Sequence, residues 1–142
     1  MTVQRFASLW RSLAPIGRDA TTGGYLRYAW SDADHACRAW FVEEALDRGL
    51  TLDPDHNGNL WAWWGDPAAG DAVVTGSHFD SVPRGGAFDG PLGIVSALLA
   101  VDLLRERGVR PSRPIGTDSS ILARTVGSAV SFEVRIGGMR PG

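Results

Sequence analysis

The sequence predicts an α/β domain, and three stretches carry that expectation. Residues 71–79, "DAVVTGSHF", form a short β-branched run without strict alternation, as suits a strand covered on both faces. Residues 91–108, "PLGIVSALLAVDLLRERG", place Pro91 at a tolerated first-turn position and are apolar nearly all round their first half, which predicts a buried helix. Residues 110–115, "RPSRPI", then lead into another extended piece. Strand, helix and strand in that order begin a parallel β-α-β crossover, because parallel neighbours cannot be joined by a tight turn.

The preceding elements follow from local pattern. In "QRFASLWRSLA", residues 4–14, Phe6, Leu9, Trp10 and Leu13 recur at helical spacing until Pro15 and Gly17 end the run. "TTGGYLRYAW" suits an irregular loop. Ser31 or Asp32 can then accept a backbone N–H ahead of "ADHACRAWFVEEALDRGL". In that helix Ala39, Val42 and Leu46 share a face that Trp40 and Phe41 widen, and Gly49 supplies a left-handed stop. "LTLDPDHNGNLWAWWG" reads as two extended pieces about Asn57-Gly58, a dipeptide that accepts the positive φ of a hairpin turn. Beyond Ile115 the composition changes: residues 116–142 show no clear helix and one alternating run, Val130, Phe132, Val134 and Ile136, and form an unassigned tail.

At 142 residues the chain fits one domain able to bury roughly two-thirds of its unfolded surface. A formal charge of -2 without runs of like charge gives no surface for nucleic acid or for an anionic membrane. Cys37 is the sole cysteine, so no intrachain disulfide forms, and no segment has the length of a membrane span or the pattern of a signal peptide. The expectation is a cytoplasmic protein with small-molecule chemistry. A parallel sheet that stops after its first crossover leaves an open strand edge and apolar helix faces, which predicts self-association or poor solubility.

The chemistry concentrates in "GSHFDSVPRGGAFDG", residues 76–90, between the predicted strand and the buried helix. Ligands of open α/β sheets bind beyond the carboxyl ends of the strands, where His78 and Asp80 stand. Two residues apart on extended backbone, they face the same side, so Asp80 can hydrogen-bond one ring nitrogen of His78 and orient the other toward a metal. The Gly-rich loop lets Asp89 return to the same point, where two carboxylate oxygens could bridge two cations. The plainer alternatives are a hydrogen-bonded structural histidine and an Asp89 that caps the following helix. His35 and His56 read as surface or turn residues, Glu43-Glu44 as a solvated face, and the tryptophans as packing.

This stretch resembles the metal-site segment of the dinuclear-metal amidohydrolases that include allantoate amidohydrolase, N-carbamoyl-L-amino-acid hydrolase and β-ureidopropionase. The likeness rests on Gly76, Ser77, His78, Asp80, Gly85, Gly86, Asp89 and Gly90, with weaker likeness in "IGRDATTGGYLRYAW" and "DHNGNLWAWWG" closest to the allantoate branch. It covers about residues 4–115. The resemblance implies that His78 and Asp89 are metal ligands, Asp89 bridging two divalent ions, zinc or manganese, and that Asp80 is the catalytic-site residue orienting His78. It implies hydrolysis of a ureido or carbamoyl C–N bond in a small-molecule substrate, as in purine-nitrogen salvage, by a homodimer.

The family pattern also has an Asp-Glu-Glu-Gly segment after the "RPI" strand, supplying a general base and a further ligand. Here the chain reads "RPIGTDSSILARTV", and the acidic residues after Glu106 are Asp118 and Glu133. No spacing ties Glu133 to His78. The expectation is therefore the N-terminal part, residues 1–115, of a metallopeptidase-like α/β catalytic domain. Its sheet is expected to be mostly parallel and flanked by helices, truncated, without the second domain that serves as lid and dimerisation surface. An inactive α/β module is the alternative from another functional class.

Overall fold

The computed structural model describes residues 2–120. Helix α1 spans Thr2–Leu13, α2 Asp32–Asp47 and α3 Pro91–Glu106, while strands β1 Thr51–Pro54, β2 Leu60–Trp64, β3 Val73–His78 and β4 Ile115–Ser120 form one sheet. The sheet order is β1-β2-β4-β3. None of the described helices is long and apolar enough to cross a membrane.

The β3-α3-β4 crossover forms as expected, with β3 and β4 parallel and paired from Val73 opposite Ile115 to His78 opposite Ser120. The expectation of a mostly parallel sheet is corrected: β1–β2 and β2–β4 are antiparallel, so the sheet is mixed. The short Asp55–Asn59 connection, in which Gly58 takes φ 84°, accounts for the β1–β2 pair, since it can join only antiparallel strands. A second correction concerns β3. It lies at the sheet edge with Val73 44% and Val74 39% exposed, so it is not covered on both faces. The strand entered at Pro114-Ile115 runs to Ser120, which brings residues 116–120 into the sheet. Glu133 and the 130–136 alternation lie outside the described residues.

Each helix contributes one apolar stripe to a single core. Leu9 and Leu13 of α1 are buried, with Phe6 and Trp10 packed beside them, as their spacing predicts. Ser31 caps α2 through its hydroxyl, which accepts from the Asp34 backbone N–H at 3.3 Å. The buried face of α2 is Cys37, Trp40, Phe41 and Ala45, whereas Ala39 and Leu46 are exposed. The face expected through residues 39, 42 and 46 is thus rotated, because Phe41 and Trp40 carry more apolar area than Val42 and Leu46 and take the core side. Ile94, Val95, Leu98 and Val101 of α3 complete the core against Ala62 of β2, with Leu60 and Trp64 on the same strand face. Alternation puts Trp61 and Trp63 on the opposite face, where their rings stack 5.6 Å apart.

Thr117 and Ser119 of β4 are paired with Ala62 and Leu60 and share the core face. Both are essentially fully buried, and neither hydroxyl has a hydrogen-bond partner among the described residues. Burial pushes the Cys37 thiol up to about 11, so this cysteine behaves as an apolar core residue.

Candidate metal site

Phe79 determines where the site begins. Its buried ring meets Trp40 and Phe41 edge-on at 6.2 and 6.3 Å, which locks the chain just past the carboxyl end of β3. His78 and Asp80 flank that anchor and turn the same way.

The His78 Nδ1 lies 2.9 Å from the backbone carbonyl oxygen of Asp80 and 3.5 Å from the Asp80 carboxylate Oδ1. A carbonyl oxygen can only accept, so Nδ1 carries the proton and Nε2 presents its lone pair. Asp80 was expected to orient the imidazole through its carboxylate; its carbonyl makes the shorter contact. Hydrogen bonding from Asp80 raises the His78 pKa, burial opposes the rise, and the Asp80 and Asp89 charges reinforce it.

On the open side of the ring, Nε2 stands 4.0 Å from Asp89 Oδ1. That separation is too long for a hydrogen bond. Two donors of a tetrahedral cation, each at about 2.0–2.2 Å from it, stand about 3.3–3.6 Å apart, so the pair is wider than closed coordination by about 0.4–0.7 Å and would have to draw together to share one divalent cation. The Asp89 side chain is 58% exposed and leaves the helix start uncapped: the N-cap of α3 is Gly90, with no side-chain capping bond. The plain capping role for Asp89 is therefore not taken up.

Gly90 is required by contact as well as by conformation. It has φ +83°, and a Cβ placed there would stand 2.4 Å from the His78 carbonyl oxygen and 2.7 Å from two ring atoms. The backbone at the start of α3 thus lies directly against the imidazole and holds Asp89 beside it.

Sequence reasoning missed the support behind this loop. Tyr25 N–H donates to the Gly85 carbonyl at 3.1 Å, and Ser81 N–H donates to the Arg27 carbonyl at 2.8 Å. The Ser81 hydroxyl accepts from Arg27 N–H at 3.1 Å and donates to the Tyr25 carbonyl at 3.2 Å. Gly24 lies so close to the loop that a Cβ there would stand 2.6 Å from the Arg84 carbonyl oxygen. The available signal was the Gly23-Gly24 pair before an arginine, which read as a plain loop. His35 and His56 are exposed, as expected. Among the described residues, no group of three or more His, Cys, Asp or Glu side chains is arranged to hold a metal ion.

No family model matches the chain. Over 98 residues it is 34% identical to "Ureidoglycolate hydrolase" of Oryza sativa subsp. japonica, covering 68% of this chain and 20% of that protein. Over 111 residues it is 35% identical to "N-carbamoyl-L-amino-acid amidohydrolase" of Rhizobium meliloti, covering 75% of this chain and 26% of that protein. The solved structure of a hydantoinase/carbamoylase family amidase from Burkholderia ambifaria superposes with a TM-score of 0.72 at 38% identity, over 80% of this chain and 29% of that one. The chain spans about a fifth to a quarter of the length of these curated relatives.

Proposed function

Since the chain belongs to the amidohydrolase family of allantoate, N-carbamoyl-L-amino-acid and ureidoglycolate hydrolases, and matches a portion of its members, we propose that it forms the metal-holding part of a hydrolase for linear ureido or carbamoyl C–N bonds. The observation that carries this reading is the pair His78 Nε2 and Asp89 Oδ1, 4.0 Å apart on the open side of an imidazole whose other nitrogen is already engaged.

In this proposal His78 and Asp89 are metal ligands, and Asp80 fixes the tautomer and direction of His78. Divalent cations, zinc or manganese, would polarise the ureido carbonyl and lower the pKa of a bound water. Allantoate is the first substrate of the class to test, with N-carbamoyl amino acids and ureidoglycolate beside it. A second reading, an inactive α/β module, is favoured by the donor count: two ligands among the described residues are too few to hold two cations firmly.

Titration calorimetry with zinc separates the two. The metal-site reading expects binding that disappears in His78→Ala and Asp89→Ala; heats identical for parent and both variants would overturn it. Ammonia release from the three substrates with added manganese then assigns the substrate, and no release from any of them would leave the inactive module as the better reading.

A further inference from the structure

Resting on the metal-site reading, we infer that Ser81 is a positioning residue that sets the tautomer and direction of His78 by holding the 80–81 peptide plane against the 25–27 segment. The argument begins with one peptide unit. Its carbonyl, from Asp80, accepts the His78 Nδ1 proton at 2.9 Å, and its N–H, from Ser81, donates to the Arg27 carbonyl at 2.8 Å. A trans peptide is planar with these two groups pointing in opposite directions. Anchoring the N–H on Arg27 therefore aims the carbonyl at the imidazole.

One hydrogen bond would leave that plane free to rock about its anchor. The Ser81 hydroxyl adds two more, accepting from Arg27 N–H and donating to the Tyr25 carbonyl. The segment it grips is itself fixed. Arg27 is buried, and its guanidinium donates to the Ile16 carbonyl at 2.8 Å and the Leu13 carbonyl at 3.1 Å. The Tyr25 hydroxyl donates to the Ala14 carbonyl at 2.8 Å, and Leu26 N–H donates to the Gly17 carbonyl at 2.8 Å. The carboxyl end of α1 thus acts as the fixed body, residues 25–27 as the bracket, and Ser81 as the fastening between bracket and site.

A second fastening at Gly85 spans the loop. With Ser81 and Gly85 both held, the site residues lie just outside the gripped stretch, His78 and Asp80 before it and Asp89 after it. Loss of the hydroxyl leaves the Ser81 N–H bond to Arg27 as the one remaining hold at this end, so the 80–81 peptide plane can rock about it and the Asp80 carbonyl no longer fixes the imidazole in one direction, while Phe79 keeps the strand end in the core. Supporting groups of this kind change metal affinity by roughly 10–100-fold without touching the ion.

The test compares parent, Ser81→Ala, Ser81→Thr and His78→Ala. Imidazole nitrogen chemical shifts of the metal-free protein read the His78 tautomer, and cobalt(II) titration followed by its visible d–d absorption reads affinity and ligand geometry. The parent is expected in the Nδ1–H form. Ser81→Ala is expected to populate both tautomers, weaken cobalt binding roughly 10-fold or more and shift the d–d band at saturation, and Ser81→Thr, which keeps the hydroxyl, to restore all three. Should Ser81→Ala not fold, Ser81→Cys keeps the size with a weaker donor and carries the same comparison. Unchanged tautomer and affinity in a folded Ser81→Ala or Ser81→Cys would overturn the inference. A parent that binds no cobalt but whose tautomer still responds to Ser81 would overturn the metal-site reading and leave the positioning role intact.

Discussion

The helical side of the molecule and strand β4 are both buried, in opposite ways. The helices meet through Leu13, Phe41, Ile94, Val95 and Leu98, side chains that lose nearly all exposure and carry no polar atom into the core. β4 sends Thr117 and Ser119 into the same core, and their hydroxyls have no partner among the described residues; on its other face Asp118 Oδ1 is also enclosed without one. Each such group costs about 1–3 kcal/mol relative to an apolar replacement. Helix packing therefore supplies stability while β4 draws on it. The strand keeps its place through backbone ladders on both sides, to β2 and to β3.

The largest expected effect lies on the helical side. Phe41→Ala removes a fully buried ring that meets Phe79 at 6.3 Å, and should cost about 3–5 kcal/mol in denaturant unfolding. A loss below about 1 kcal/mol would break the contrast. Because Phe79 adjoins His78 and Asp80, the same variant should also weaken the zinc binding proposed for His78 and Asp89.

Next in size is Asp118. Burial is the main cause that raises its carboxyl from 3.8 to about 6, with the Ser120 hydroxyl bond opposing and the Asp55 charge adding to the rise. The folded state thus holds this proton more tightly than the unfolded chain. The stabilisation is fully present below about pH 4 and is lost as the pH climbs through about 6. Asp118→Asn should therefore gain on the parent across that window, by about 1–3 kcal/mol at pH 8. Unfolding at pH 4 and pH 8 checks it, and an advantage that does not grow with pH would contradict the buried-acid assignment.

These regions also differ in how far the sequence alone disclosed them. α1 was legible because Phe6, Leu9, Trp10 and Leu13 allow one helical face. α2 was not, since Cys37, Ala39, Trp40, Phe41, Val42, Ala45 and Leu46 almost encircle the helix and tertiary packing chooses among them. In β4, "GTDSS" lacks any apolar alternation, and its strand conformation comes from its neighbours' hydrogen bonds. The same division runs through the site. His78, Asp80 and Asp89 stand within twelve residues and could be read together, whereas Tyr25 and Arg27 reach Ser81 across more than fifty residues, largely through backbone groups that leave no mark on side-chain pattern.

Thr117→Val sharpens the contrast from the sheet side. The substitution keeps the β-branched shape and replaces the unpartnered hydroxyl with a methyl group, so a gain of about 1–2 kcal/mol is expected. A destabilised Thr117→Val would mean that the hydroxyl has a partner in the folded protein and that β4 is less costly than its described contacts imply.

The smallest expected effect tests the corrected face of α2. Leu46 belongs to the face that spacing alone selected, yet it is 56% exposed, while Ala45 beside it is fully buried. Leu46→Gln should then change stability by no more than about 0.5 kcal/mol, because an exposed leucine has little burial to lose and glutamine has similar helix propensity. Ala45→Gln, one residue away, would force a polar side chain into the core beside Phe41 and should unfold at clearly lower denaturant. Equal responses from the two would return the buried stripe to the 39, 42 and 46 side and carry Phe41 out of the core with it. Phe79 would then lose one of its two aromatic contacts, and with it part of the anchor that holds the end of β3 under His78.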